Sequence, residues 1–106
     1  MSGTENYKNV YDDDFFAYTS GISWKSAQKV VPVFRELLPF CKSVADFGCA
    51  EGVWLKCWLL NGVEDVVGVD GDYVNTEALH ISKEAFFARN LDEAVDLGRR
   101  FDVACS

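Results

Sequence analysis

Residues 44–52 read VADFGCAEG. A short apolar run carries one acid, Asp46, and then breaks into small residues at two-residue spacing: Gly48, Ala50 and Gly52. A continuous apolar run of this length reads as a strand buried on both faces, with SVADF at 43–47 as its core. Small residues after it let backbone approach a ligand with no Cβ in the way. Residues 53–61, VWLKCWLLN, are apolar nearly all round, with Lys56 the only charge, which predicts a buried helix. The unsatisfied N–H groups and partial positive charge of its N-terminus point at the same loop. Asn61-Gly62 then supplies a left-handed stop. For Ala50, a negative φ costs little and a positive φ brings strain.

The same alternation continues outward. Residues 65–70, DVVGVD, form a second strand that ends in Asp70, and 73–80, YVNTEALH, suit a short helix. Residues 85–88, AFFA, make a third strand, 91–98, LDEAVDLG, a loop or one helical turn, and 101–105, FDVAC, begin a fourth strand. Upstream, SWKSAQKVVPVFRELL at 23–38 repeats apolar residues every three to four positions, with Ser23 as N-cap and Pro39 as stop. Pro32 falls inside that pattern and predicts a kink or a break. Strands that are apolar runs, alternating with helices, indicate an α/β domain with a parallel sheet covered by helices on both faces.

Composition bounds the function. At 106 residues the chain makes one small domain, and its net charge of −7 disfavours nucleic acid and anionic membranes as partners. No apolar run approaches the ~20 residues of a membrane helix. The start, MSGTENYKNVYDDD, is polar and acidic and lacks a signal-peptide pattern. Cys41, Cys49, Cys57 and Cys105 form no C-x-x-C pair, and three lie in or beside apolar runs, which suggests reduced thiols and a cytoplasmic protein. Asp12, Asp13 and Asp14 read as a solvated cluster or helix start rather than a metal site, with Phe15, Phe16 and Tyr18 packing a short helix behind them. Residues 1–22 are thus an N-terminal polar and aromatic segment, and 23–106 the domain.

Three features fall at the carboxyl ends of the strands, where such folds hold ligands. They are the loop Gly48-Cys49-Ala50-Glu51-Gly52, the acid Asp70, and Ala88-Arg89-Asn90-Leu91. A carboxylate ending the second strand can accept both hydroxyls of a ribose. A dinucleotide fingerprint needs glycine at 53, where Val53 stands, and no lysine follows in register for a P-loop. What remains is D-x-G-x-A-x-G, followed 24 residues after its first acid by Asp70.

That pattern resembles the class I S-adenosylmethionine-dependent methyltransferases. The resemblance runs from about Ser20 to Ser106 through VADFGCAEG, VVGVDGD, FFARNL and FDVACS in order. It implies a Rossmann-like fold with strand order 3-2-1-4 and a cofactor site. By resemblance, Gly48, Cys49, Ala50 and Gly52 cradle the methionine portion, with Asp46 near its amino end. Asp70 binds the ribose hydroxyls, while Gly71 and Asp72 lie beside the adenine. Asn90, with Leu91, stands where the family usually carries an acid against the adenine amino group. Cys105 and Ser106 border the transferring methyl group. The family's sheet continues beyond a fourth strand, so the chain reads as the cofactor-binding, N-terminal portion of such a domain, with an open edge at strand four that invites pairing in an oligomer.

The expected activity is methyl transfer to an unidentified acceptor, a small molecule or a protein, with no catalytic base and no metal ligand assigned. The alternatives are a nucleotide- or dinucleotide-binding protein on a similar fold, and a non-catalytic fragment that only binds S-adenosylmethionine. Structural roles stand beside these: Asp70 as a helix cap, Asn90 as a turn residue, His80 as a surface or capping residue, Trp54 and Trp58 as core or interface, and Cys49 as a small loop residue.

Overall fold

Valines at 66, 67 and 69 are stiff, β-favouring side chains, and the strand that holds them lies inside a four-stranded parallel sheet. This is a computed structural model, which describes the backbone of residues 13–106 and the side chains of residues 21 and 23–106. The strands are β1 (Ser43–Phe47), β2 (Asp65–Asp70), β3 (Phe86–Ala88) and β4 (Val103–Cys105), in the order β3-β2-β1-β4. Ala45 pairs with Val67 and Ala104, and Val69 pairs with Phe87. β1 and β2 keep the expected bounds, β3 and β4 are three residues each, and β4 is an edge as expected.

Two helices precede and follow β1: α1 (Asp13–Leu37) and α2 (Val53–Leu60). Ala27 and Val31 from α1, Leu55, Cys57 and Trp58 from α2, and Val44 and Val66 from the strands form one buried cluster. Phe34 stacks on Trp58 with ring centroids 6.4 Å apart. Both described helices therefore cover one face of the sheet, not both faces as expected. The reason is in the connections. The β3–β4 connection holds no helix, and its Leu97 and Phe101 line a hollow with Val67 and Phe87 on the other face.

Helix α1 runs straight through Ser23, which is therefore not an N-cap. Pro32 sits inside it, and the carbonyl it deprives of an N–H partner belongs to Gln28, an exposed residue that water can reach. The helix ends before Pro39, as expected. Arg35 ties that end down: its guanidinium donates to the carbonyls of Cys41 at 2.9 Å, Leu38 at 3.2 Å and Asn61 at 3.0 Å. Gly62 at φ +96° closes α2, with Val63 N donating to Trp58 O at 3.0 Å. The readings of residues 1–12 and of Phe15, Phe16 and Tyr18 lie outside the described residues.

The stretch 73–80 does not form the expected α-helix. Only a 3₁₀ turn at Thr76–Ala78 forms, capped by Asn75, and a second follows at Lys83–Ala85. Helix growth stops because His80 N is taken by the carbonyl of Glu51 at 2.8 Å instead of by its own helix. β4 is held beside β1 by Lys42 N donating to the Asp102 carboxylate (2.7 Å) and Asp102 N donating to Ser43 Oγ (2.9 Å). Arg99 grips Asp65 with both terminal guanidinium nitrogens, at 3.0 and 2.5 Å. Among the described residues no helix is long and apolar enough to cross a membrane.

Candidate functional site

Parallel strands of similar register bring the loops after β1, β2 and β3 to one end of the sheet. Asp70 closes β2 there and is only 4% exposed. Its carboxylate is held by the main chain on both oxygens: Ala50 N donates to Oδ2 at 2.8 Å and Gly71 N donates to Oδ1 at 2.8 Å. Tyr73 adds its hydroxyl to Oδ1 at 2.5 Å. The loop after β1 is fixed from the same strand, since Gly48 N and Cys49 N both donate to Val69 O, at 2.7 and 3.2 Å. The two features read separately in the sequence, the small-residue loop and the acid, are thus one hydrogen-bonded unit.

The small residues do different jobs. Gly48 is exposed at φ +93°, and a Cβ there would have only Leu91 Cδ1 near it, at 4.0 Å. Gly52 is buried at φ +83°, and a Cβ would meet the Ile81 side chain at 3.2 Å, so its smallness serves packing. Ala50 adopts φ +49°, the left-handed region, so the strained alternative holds. The bond from Ala50 N to Asp70 keeps it there. Ala50→Gly is expected to stabilise the fold by roughly 0.5 kcal/mol, the left-handed penalty less glycine's entropy cost in the unfolded chain. Urea denaturation measures it, and a loss of stability would contradict a left-handed Ala50.

Cys49 turns inward. Its Sγ lies over Gly68, where a Cβ would come within 2.7 Å of it. Burial first, then the charges of Asp46 and Asp70, push its thiol up to about 12, so it stays protonated and unreactive at neutral pH.

Two clefts open at this end of the sheet. The first, of about 560 Å³, is lined by Asp70, Gly71, Asp72, Tyr73, Asn90 and Leu91. The second, of about 390 Å³, is lined by Asp46, Gly48, Trp54, Trp58, Cys105 and Ser106. The ten candidate residues therefore divide: four line the first cleft, three line the second (Asp46, Gly48 and Ser106), and Cys49, Ala50 and Gly52 shape the loop between them. Asn90 also makes a turn, its Oδ1 accepting from Asp92 N at 3.0 Å. Trp58 is core and Trp54 half-buried, and His80 is exposed, as read. Among the described residues no group of three or more His, Cys, Asp or Glu is placed to hold a metal ion.

Asp46 is half-buried, and burial together with the charge of Asp70 raises its carboxyl from 3.8 to about 6. A folded-state value above the unfolded one means the fold favours the protonated acid. Its stabilising effect is full below about pH 3.8 and is lost as pH rises through about 6. Asp46→Asn is therefore expected to be about 1–2 kcal/mol more stable than the parent at pH 7.5, less than the full shift implies because the group is partly solvated, and to lose this advantage at pH 4. Urea unfolding of both proteins at the two pH values measures it. An advantage that does not change with pH would refute the assignment.

Two residues of the site carry no motif. Tyr73 reaches Asp70 because the chain turns sharply after β2 in place of a helix. Gly68 had a signal, since an isolated glycine inside a strand marks close approach of another group. Comparison of the chain with protein-family models, with curated proteins and with solved structures gives no match.

Proposed function

We propose that the chain is the cofactor-binding portion of a Rossmann-like S-adenosylmethionine-dependent methyltransferase. The observation that carries this reading is the buried Asp70 carboxylate, joined to the β1 loop through Ala50 N at 2.8 Å and standing on the wall of an open cleft. A carboxylate offers about four acceptor positions; two are filled by backbone N–H groups and a third by the Tyr73 hydroxyl, so two serve the hydroxyl pair of a ribose once that hydroxyl is displaced. Asp70 would take that pair, with Gly71, Asp72, Asn90 and Leu91 around the adenine. Asp46, Gly48 and Ser106 would face the methionine end. The charge Asp46 acquires above about pH 6 suits a cationic amino group, which would offset its repulsion from Asp70.

The chemistry that S-adenosylmethionine supplies when bound is an electrophilic sulfonium methyl group. The chain's own contribution is to bind and orient it and to keep water from the reacting atoms. The acceptor is a small molecule or a protein. Titration calorimetry with S-adenosylhomocysteine and, separately, with NAD tests the reading. Saturable binding of S-adenosylhomocysteine at micromolar concentration is expected, and binding of NAD alone would end it in favour of a dinucleotide-binding protein.

A further inference from the structure

Asp70 is already engaged by a side chain. The Tyr73 hydroxyl donates to Oδ1 at 2.5 Å, a charge-assisted bond. Its ring lies across Gly71 so closely that a Cβ there would sit 2.3 Å from Cε1. Tyr73 is also 43% exposed and forms part of the wall of the first cleft. The phenol thus fills one of the two acceptor positions that the backbone leaves on Asp70.

We propose that Tyr73 is a gate on this site: its hydroxyl caps Asp70 in the empty protein and must be displaced by a ligand that brings a vicinal diol. The inference rests on the nucleoside reading of Asp70 given above. With Tyr73 in place, the carboxylate has about one open acceptor position, enough for a single hydroxyl. A ligand with two neighbouring hydroxyls needs both positions and must break the Tyr73 bond. A 2′-deoxynucleoside needs one and leaves that bond intact. The gate therefore weakens diol binding by a fixed factor, and it keeps a buried carboxylate satisfied when no ligand is present.

The test is calorimetric titration of the parent, Tyr73→Phe and Asp70→Asn with S-adenosylhomocysteine, adenosine and 2′-deoxyadenosine. Phenylalanine keeps the ring over Gly71 and removes only the hydroxyl. Tyr73→Phe is expected to bind S-adenosylhomocysteine and adenosine about 5–10-fold more tightly than the parent, with 2′-deoxyadenosine affinity unchanged. Asp70→Asn should lose the diol-bearing ligands. In protein labelled with ¹³C at the tyrosine ζ carbon, the resonance absent from Tyr73→Phe should shift on adding S-adenosylhomocysteine to the parent, which reports displacement in the unmutated protein. Equal or weaker binding by Tyr73→Phe, or a Tyr73 resonance that does not move on saturation, would overturn the gate while leaving the nucleoside reading intact. No binding by either the parent or Tyr73→Phe would overturn both.

Discussion

Asp70→Asn is expected to weaken S-adenosylhomocysteine binding by at least about 100-fold and to lower the stability of the empty protein by about 2–3 kcal/mol. The two effects have separate causes. In the parent, Ala50 N and Gly71 N donate to opposite oxygens of one carboxylate, each at 2.8 Å. A carboxamide has one oxygen and one NH₂ group. Whichever way it is turned, one backbone N–H faces another donor, so a bond is lost and a partly buried donor goes unsatisfied. Because Ala50 is held in the left-handed region by that contact, the loop loses its anchor along with the bond. The binding loss is expected from the charge, which on the proposed reading would give a ribose diol its strong acceptors. Urea denaturation without ligand reads the first effect and calorimetry the second. A variant as stable as the parent to within 0.5 kcal/mol would contradict the anchoring role, whatever happens to binding. Retained binding in a folded variant would contradict the ribose role.

The parts of this fold legible in the sequence are those fixed by local chemistry. Ser43–Phe47 and Asp65–Asp70 are dense apolar runs with no competing helical period, and both strands keep the expected bounds. Gly62 ends α2 because only a left-handed residue can turn there, and glycine does so without strain. What escaped the sequence was decided by distant partners. YVNTEALH carries a helical pattern, yet His80 N bonds the Glu51 carbonyl, which belongs to another loop. Ser23 has the chemistry of an N-cap, but α1 begins ten residues earlier, at Asp13. The site divides along the same line. Asp70 and Gly48 stand out by position, at the end of a strand and at the first break in another. Cys49 and Gly52 match the loop pattern in sequence but face Gly68 and Ile81 in the core. The pattern identifies the loop, while the core decides which of its residues face outward.

Gly68→Ala is expected to destabilise the protein by about 3 kcal/mol, the upper end of the range for overpacking a core. Local propensity alone gives the opposite sign, because alanine is less costly than glycine within a strand. Packing reverses it. A Cβ at 68 would lie 2.7 Å from Cys49 Sγ and 3.1 Å from both Leu55 Cδ1 and Ile81 Cδ1. All three neighbours are buried, Leu55 completely, and β2 is held on both sides by β1 and β3. Neither strand nor helix can yield cheaply, so the loop must move. That displacement reaches the ligand site through one chain of contacts: Cys49 N is bonded to Val69 O, and its neighbour Ala50 donates to Asp70. Loss of stability should therefore come with weaker binding of S-adenosylhomocysteine, although residue 68 lines neither of the two clefts. Cys49→Ala supplies the control, because it removes the sulfur that the new methyl group strikes. In a double-mutant cycle the pair should recover about 1–2 kcal/mol relative to the sum of the single changes. Strictly additive losses would mean that the sulfur does not set the limit at 68, and that the β1 loop is positioned without help from the glycine beneath it.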